Sequence, residues 1–175
     1  RKLDSGTLTS ITSLLNWELS PNVQDLDFSD LDYTSFGMMD LNMSSRIIQS
    51  QKTLTQELRF EGNSEGSFAW KGGLFYLDGE LDGTGAREFP IEAMGVREQQ
   101  VTQHTIDEEN MGVFASFEYS YSERTKLFGG LRWDRTEKVL NRIKSNTNFP
   151  NPADISLSRT DAQTTPSLGI SYDLN

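Results

Sequence analysis

Cysteine is absent from the 175 residues, and histidine occurs once, at His104. Without cysteine there are no disulfides, no thiolate zinc sites and no thiol nucleophiles, whichever compartment holds the chain. Long apolar runs are missing too, since nothing approaches the ~18 consecutive apolar residues that a membrane-spanning helix needs. Positive charge is scarce: 16 Lys+Arg face 26 Asp+Glu, and a net charge of −10 argues against a nucleic-acid surface. Catalytic constellations are equally thin. The one GxSxG string, Gly62–Gly66, has the length of a hairpin turn between alternating segments rather than of a strand-to-helix elbow, and its serine has no triad partner. Gly79, Gly83 and Gly85 lie among carboxylates that would repel a phosphate, and read as loop flexibility. His104, beside Thr102, Gln103 and Thr105, reads as a surface residue rather than a general base. The chain is therefore not expected to be an enzyme or to hold a cofactor. It starts at Arg1 without a charged-then-apolar leader and is expected to be an internal stretch of something longer.

What the sequence does have is alternation. Successive side chains of a strand point to opposite faces, so a strand with one apolar face alternates in polarity with period two. Six segments do so. The first sets Ile11, Leu15, Trp17 and Leu19 against Ser10, Thr12, Asn16 and Glu18, with Leu14 out of pattern. The second sets Leu54, Leu58 and Phe60 against Thr55, Glu57 and Arg59. The third groups Phe68, Trp70, Leu74 and Tyr76 opposite Lys71. The fourth runs through Val113, Ala115, Phe117, Tyr119 and Tyr121. The fifth has Leu127, Leu131 and Trp133 opposite Arg132 and Asp134, and the sixth has Leu168, Ile170, Tyr172 and Leu174 on one face.

Connections alternate as well. Gly62–Gly66 and Ser122–Thr125 have the length of tight hairpin turns. Ser20–Arg46, Asp78–Thr105 and Val139–Arg159 are long, polar and irregular in pattern. Short and long connections in strict alternation put all tight turns at one end of a meander and all long loops at the other, the layout of an outer-membrane barrel. Closing the first turn as Gly62 opposite Gly66 pairs Leu58 with Trp70, Leu54 with Leu74 and Glu57 with Lys71. Closing the second as Ser122 opposite Lys126 pairs Phe117 with Leu131 and lays Tyr119 over Gly129. Aromatic residues gather at two levels. Phe60, Phe68, Trp70, Tyr119, Tyr121 and Tyr172 lie near the short turns, and Trp17, Tyr76 and Trp133 near the long loops. Rings with a polar edge favour lipid–water boundaries, which explains two girdles. A soluble β-sandwich core is the competing explanation, and it requires a second sheet over these residues.

The strings SQKTLTQELRFEG from Ser50, GSFAWKGGLFYLDGEL from Gly66, GLRWDRTEK from Gly130 and TPSLGISYDLN from Thr165 resemble barrel strands of TonB-dependent outer-membrane receptors. TLTSITS from Thr7 and the acidic VQDLDFSDLDYTS from Val23 are similar to the same family. The resemblance implies an all-β, antiparallel up-and-down meander of about six strands, with three long loops on one side and two short turns on the other. It would be an open segment of a barrel of about 22 strands. Residues 1–175 are then part of the barrel domain, and the plug domain and remaining strands are expected outside them. The implied partners are outer-membrane lipid, TonB through the plug, and a scarce nutrient such as a siderophore or other metal chelate, a vitamin or an oligosaccharide; no nucleic acid is implied. A passive porin or secretion barrel is the alternative within membranes.

Candidate ligand contacts follow from position. Glu18 and Asp134 are the charged residues of the expected lumen face nearest the long loops, with Arg132 beside them, while Phe36 and Phe89 could stack on a ring or sugar. The other lumen charges, Glu57, Arg59 and Lys71 among them, read as salt-bridge ladders. Asp25, Asp27, Asp30 and Asp32 lack the glycine and terminal glutamate of an EF-hand loop and read as solvated carboxylates rather than a metal site. Together with Asp40, Asp78, Glu80, Asp82, Glu88, Glu92 and Glu98 they make the first two loops anionic. That favours a cationic, sugar-like or metal-bearing ligand over a bare anion. In cell fractionation the full-length protein is expected in the membrane pellet, released only by detergent; recovery in the soluble fraction would contradict this reading.

Overall fold

A computed structural model describes residues 1–25, 43–62, 66–91 and 95–174. They form one seven-stranded sheet with strand order equal to chain order: β1 (Lys2–Leu3), β2 (Gly6–Asp25), β3 (Ser44–Gly62), β4 (Phe68–Ile91), β5 (Val96–Ser120), β6 (Thr125–Asn146) and β7 (Ile155–Tyr172). All neighbours are antiparallel and the sheet does not close. This is the expected open meander, with the two-residue β1 added at one edge. The turns at one end are short. The β5–β6 turn is stapled by Tyr121 N–H donating to the Thr125 carbonyl at 2.9 Å. Gly66 and Gly95, with φ of 110° and 61°, occupy the left-handed region that the turns before β4 and β5 demand.

The stretches expected as irregular loops are largely strand. β4 and β5 stay paired from Phe68↔Tyr119 up to Ile91↔Val96, so Gly79, Gly83 and Gly85 belong to a strand and not to a flexible loop. The 25 residues of β5 reach ~80 Å at ~3.3 Å per residue, far more than an apolar layer requires. Polarity alternates only where one face meets an apolar medium. A hairpin wet on both sides therefore carries no such signal.

No described apolar residue is buried. The accessible surface, 12740 Å², exceeds the ~8,600 Å² of a compact protein of this mass. Leu74, Trp133 and Leu168 are 54%, 41% and 85% exposed on a face that no second layer covers, which excludes the sandwich.

Directly paired residues share a face, so the ladder assigns every side chain. Both expected hairpin registers need correction, by even steps that preserve the faces. Leu58 pairs with Leu74, Leu54 with Asp78, and Glu57 with Phe75 rather than Lys71. Phe117 rather than Tyr119 opposes Gly129, where an added Cβ would come within 2.8 Å of the Phe117 ring. On β2 the faces themselves are reversed. Trp17 pairs with Gln51 and Ile11 with Glu57, on the charged face, whereas Glu18 pairs with Ser50 on the apolar one. Two contacts pin this register. The Trp17 indole N–H donates to Gln51 Oε1 at 2.8 Å, and Gln56 accepts from Thr12 Oγ1 at 2.6 Å while donating to Ser10 Oγ at 2.9 Å. The row of Trp17 and Gln51 continues as Leu81, Ile106, Leu140 and Leu157, an apolar belt across the charged face, whereas the rows of Ile11, Leu15 and Leu19 run into Asp134, Lys138 and Arg142.

The apolar band of the other face crosses the strands obliquely. On β3 it spans Leu54 to Phe60, and on β7 Pro166 to Tyr172. The ladder row through Pro166 passes Leu131, Ala115 and Gly72 and meets β3 at Phe60. The row through Leu54 runs instead into Asp78, Glu109, Glu137 and Thr160. Both limits of the band therefore shift by six residues across four strand spacings. That is ~20 Å along the strands against ~19 Å across them, an inclination of about 45°. Membrane barrels tilt their strands by a similar amount, about 35–45°. At this angle the ten steps from Met111 to Tyr121 rise ~24 Å, the height of a barrel's apolar band. Ala115, on the same face, sits near the middle of it. Ala115→Arg is expected to cost about 2–4 kcal/mol in urea unfolding of the full-length protein in vesicles, and a cost below about 0.5 kcal/mol would place that face away from lipid.

Candidate functional site

The charged face carries the candidate functional side chains, and it changes character along the strands. At the level of the apolar band most of its charges are matched locally, Lys71 standing opposite Glu61 without an ion pair among the described residues. Arg132 makes a two-pronged contact with Asp134, at 2.7 Å from Nε to Oδ2 and 2.7 Å from Nη2 to Oδ1. The guanidinium carbon lies 5.4 Å from the centre of the Phe75 ring and 6.0 Å from that of Phe114. The planar cation is thus held by a carboxylate at its edge and by aromatic rings at its faces. Arg59 contacts Glu57 at 2.5 Å and Glu61 at 3.7 Å. Lys126 meets Glu118 at 2.8 Å. Arg132 and Asp134 are adjacent, as expected; Glu18 is not with them, because its face is the opposite one.

Higher up, Lys138 pairs with Glu108 at 3.1 Å and Arg159 with Asp161 at 2.6 Å, the latter contact holding the Arg159 guanidinium above its ordinary pKa. The apolar belt of Trp17, Leu81, Ile106, Leu140 and Leu157 follows. Above the belt the same face presents Arg87, His104, Arg142 and Lys144, with Phe89 directly opposite Glu98. Among the described residues none of these three cations has an ion-pair partner. Glu98 is buried, and its carboxylate accepts the backbone N–H groups of Thr147 and Asn148 at 3.2 and 2.8 Å, so it caps the β6–β7 connection. A groove of about 290 Å³ is lined by Ser45, Gln49, Arg87, Gln100, His104 and Lys144, and Arg142 stands on the neighbouring strand directly opposite His104. Its floor is Gly85, where an added Cβ would meet nothing within 4 Å. The His104 ring lies flat over Gly83, in the space a side chain there would fill.

Of the acids expected to dominate the ligand's surroundings, Glu98 lies on the charged face, whereas Asp78, Glu80, Asp82 and Glu88 lie on the face that continues the apolar band, as do Asp107, Glu109 and Glu137. Thr105 Oγ1 donating to Asp82 at 2.8 Å, and Gln99 Nε2 to Glu88 at 2.8 Å, confirm their side. The anionic field inferred from composition therefore belongs to the face of the apolar band, and the opposite face is basic at the same height. Phe36, Asp27, Asp30, Asp32, Asp40 and Glu92 lie outside the described residues. Arg87, Arg142 and Lys144 escaped the sequence reading because their stretches were taken as loops. The alternation Arg142, Lys144, Asn146 against Asn141, Ile143, Ser145 is the signal that marks them.

A sheet without a core, apolar on one face and charged on the other, with the apolar band inclined to its strands, is a piece of barrel wall. Residues 3–175 match the family described as TonB dependent receptor-like, beta-barrel, and the chain belongs to that family. No curated protein matches it. Among solved structures it is similar to the ferric yersiniabactin uptake receptor FyuA from Yersinia pestis, with a TM-score of 0.74 and 14% sequence identity over 99% of this chain. The chain spans 24% of that receptor's length.

The two faces can be told apart by fluorescence. In vesicles of brominated lipid, Trp70→Phe and Trp133→Phe in the full-length protein should each remove emission that bromine quenches. Trp17→Phe should remove emission that aqueous iodide quenches and bromine does not. Bromine quenching of Trp17 equal to that of Trp133 would reverse the face assigned to β2.

Proposed function

We propose that this chain forms part of the wall of a bacterial outer-membrane receptor that takes up a scarce nutrient at the cell surface with energy delivered through TonB. The observation that carries the reading is the bare apolar band, inclined about 45° to the strands and ~24 Å high, backed by a face of matched charges. Such a band is stable only against lipid, and such a face only in a wet interior. Tyr76 and Trp133 then stand at the upper lipid boundary, and Phe68, Trp70, Tyr119, Tyr121 and Tyr172 at the lower. Family membership supports the energy coupling. On this reading a plug and further strands outside the chain complete the barrel. Arg132, Asp134, Arg59 and Glu57 face the plug, and Phe89 and the upper wall face the arriving ligand. The nutrient classes that fit a receptor of this kind are siderophores and other metal chelates, vitamins and oligosaccharides.

A passive porin is the reading to distinguish. Uptake of the nutrient whose use the full-length receptor confers should stop in cells lacking TonB and on collapse of the proton gradient. Uptake that continues at an undiminished rate under both conditions would make the protein a passive pore.

A further inference from the structure

We infer that the inner wall of the tall hairpins is an anion-receiving surface, in which Arg87, Arg142 and Lys144 beside the His104 ring bind a multiply charged anion. The inference rests on the uptake reading only in taking the charged face as the interior. It departs from what composition suggests, since the chain as a whole carries a net charge of −10.

The argument is one of unmatched charge in a shaped place. Lower on the same face Arg59–Glu57, Arg132–Asp134 and Lys138–Glu108 pair at 2.5–3.1 Å, and Lys71 stands directly opposite a carboxylate, Glu61. A wall that only needed to be wet could continue that pattern upward. Instead, three cations follow within a few rows with no carboxylate in reach among the described residues, and the one acid beside them, Glu98, is buried and committed to two backbone amides. Arg142 lies directly opposite His104, and Lys144 directly opposite Thr102. Arg87 is one row above, opposite Gln100.

The space is made by the backbone. Gly83 and Gly85 are successive inward positions of β4, so no side chain from that strand fills the trough between β3 and β5. Gln49, Thr102 and Gln100 along it supply neutral hydrogen-bonding groups. Meanwhile the acids stand on the other side of the same strands, where they keep free anions from crowding the outer surface and leave the interior as the basic route. His104 is seven residues above Met111, ~16 Å beyond the upper limit of the apolar band at a 45° inclination. That level is reached from outside before the paired charges below it. The groove's about 290 Å³ admits one arm of a chelate or a short polyphosphate rather than a whole large ligand.

The shared chemistry is a cluster of carboxylate or phosphate oxygens, so two titrants separate the sources: tripolyphosphate and iron(III) citrate. Calorimetry on the detergent-purified full-length receptor at low ionic strength should show binding of at least one. The double variant Arg142→Gln/Lys144→Gln should weaken it about tenfold. The control pair Arg46→Gln/Lys52→Gln removes the same charge from the outer face and should change it less than about twofold. Heat-modified mobility on a gel reports folding of each variant. No binding of either titrant, or equal weakening by the two pairs, would overturn the inference. The uptake reading is judged separately. Equal weakening in a receptor whose transport still needs TonB removes the anion surface alone. The expected tenfold difference in a receptor whose transport ignores TonB removes the uptake reading and leaves the surface standing.

Discussion

The antiparallel ladder is the constraint on which everything else depends. Each strand satisfies its backbone N–H and C=O groups on its neighbours, and once that pairing is set, every side chain is committed to one of two faces. Among the described residues there is no second layer, so those faces are the environments their side chains have. One face carries the apolar band, and at that level the other gathers the charges, pairs most of them, and holds Arg132 between Asp134 and two phenylalanine rings. The same ladder makes the obliqueness of the apolar band measurable, because rows of paired residues serve as a ruler laid across the strands.

Charge segregation is the second consequence. Composition sums both faces and reports an acidic protein. The ladder separates the sum into an acidic exterior above the band and a basic inner wall at the same height. A ligand responds to the field on its own side of a sheet, so the separated charges determine selectivity and the total does not. The apolar belt from Trp17 to Leu157 lies between the basic wall and the matched charges below it, and it divides the inner face into an upper and a lower zone. One polar cluster softens the division between the two faces. Ser10, Thr12 and Gln56 bring polar groups onto the apolar face but satisfy one another there, which is the condition under which such groups tolerate an apolar setting.

Legibility from sequence followed the physics of each segment. Where one face is apolar, as from Met111 to Tyr121, polarity alternates and both the strand and its facing can be read. Where both faces are wet, as from Asp78 to Thr105, a strand and a loop look alike, and a paired hairpin was taken for an irregular connection. Where both faces are partly apolar, as on β2 with Leu14 beside Leu15, the facing was read backwards, and Trp17 and Glu18 changed places with it. Register failed by two and by four residues because even shifts keep every apolar side chain on its face. Only contacts such as Phe117 over Gly129 distinguish one even register from another.

The sequence by itself determined the class of architecture: strands, their approximate number, and the two chemically distinct faces. Each of these is local, encoded in the spacing of residues within about ten positions of one another. Only the tertiary structure decided which residues meet across strands, how tall the hairpins stand, which way Glu18 and Trp17 point, and that Arg87, Arg142 and Lys144 share a wall. Those outcomes rest on hydrogen bonds between strands distant along the chain, and no period within a single strand records its neighbour's register.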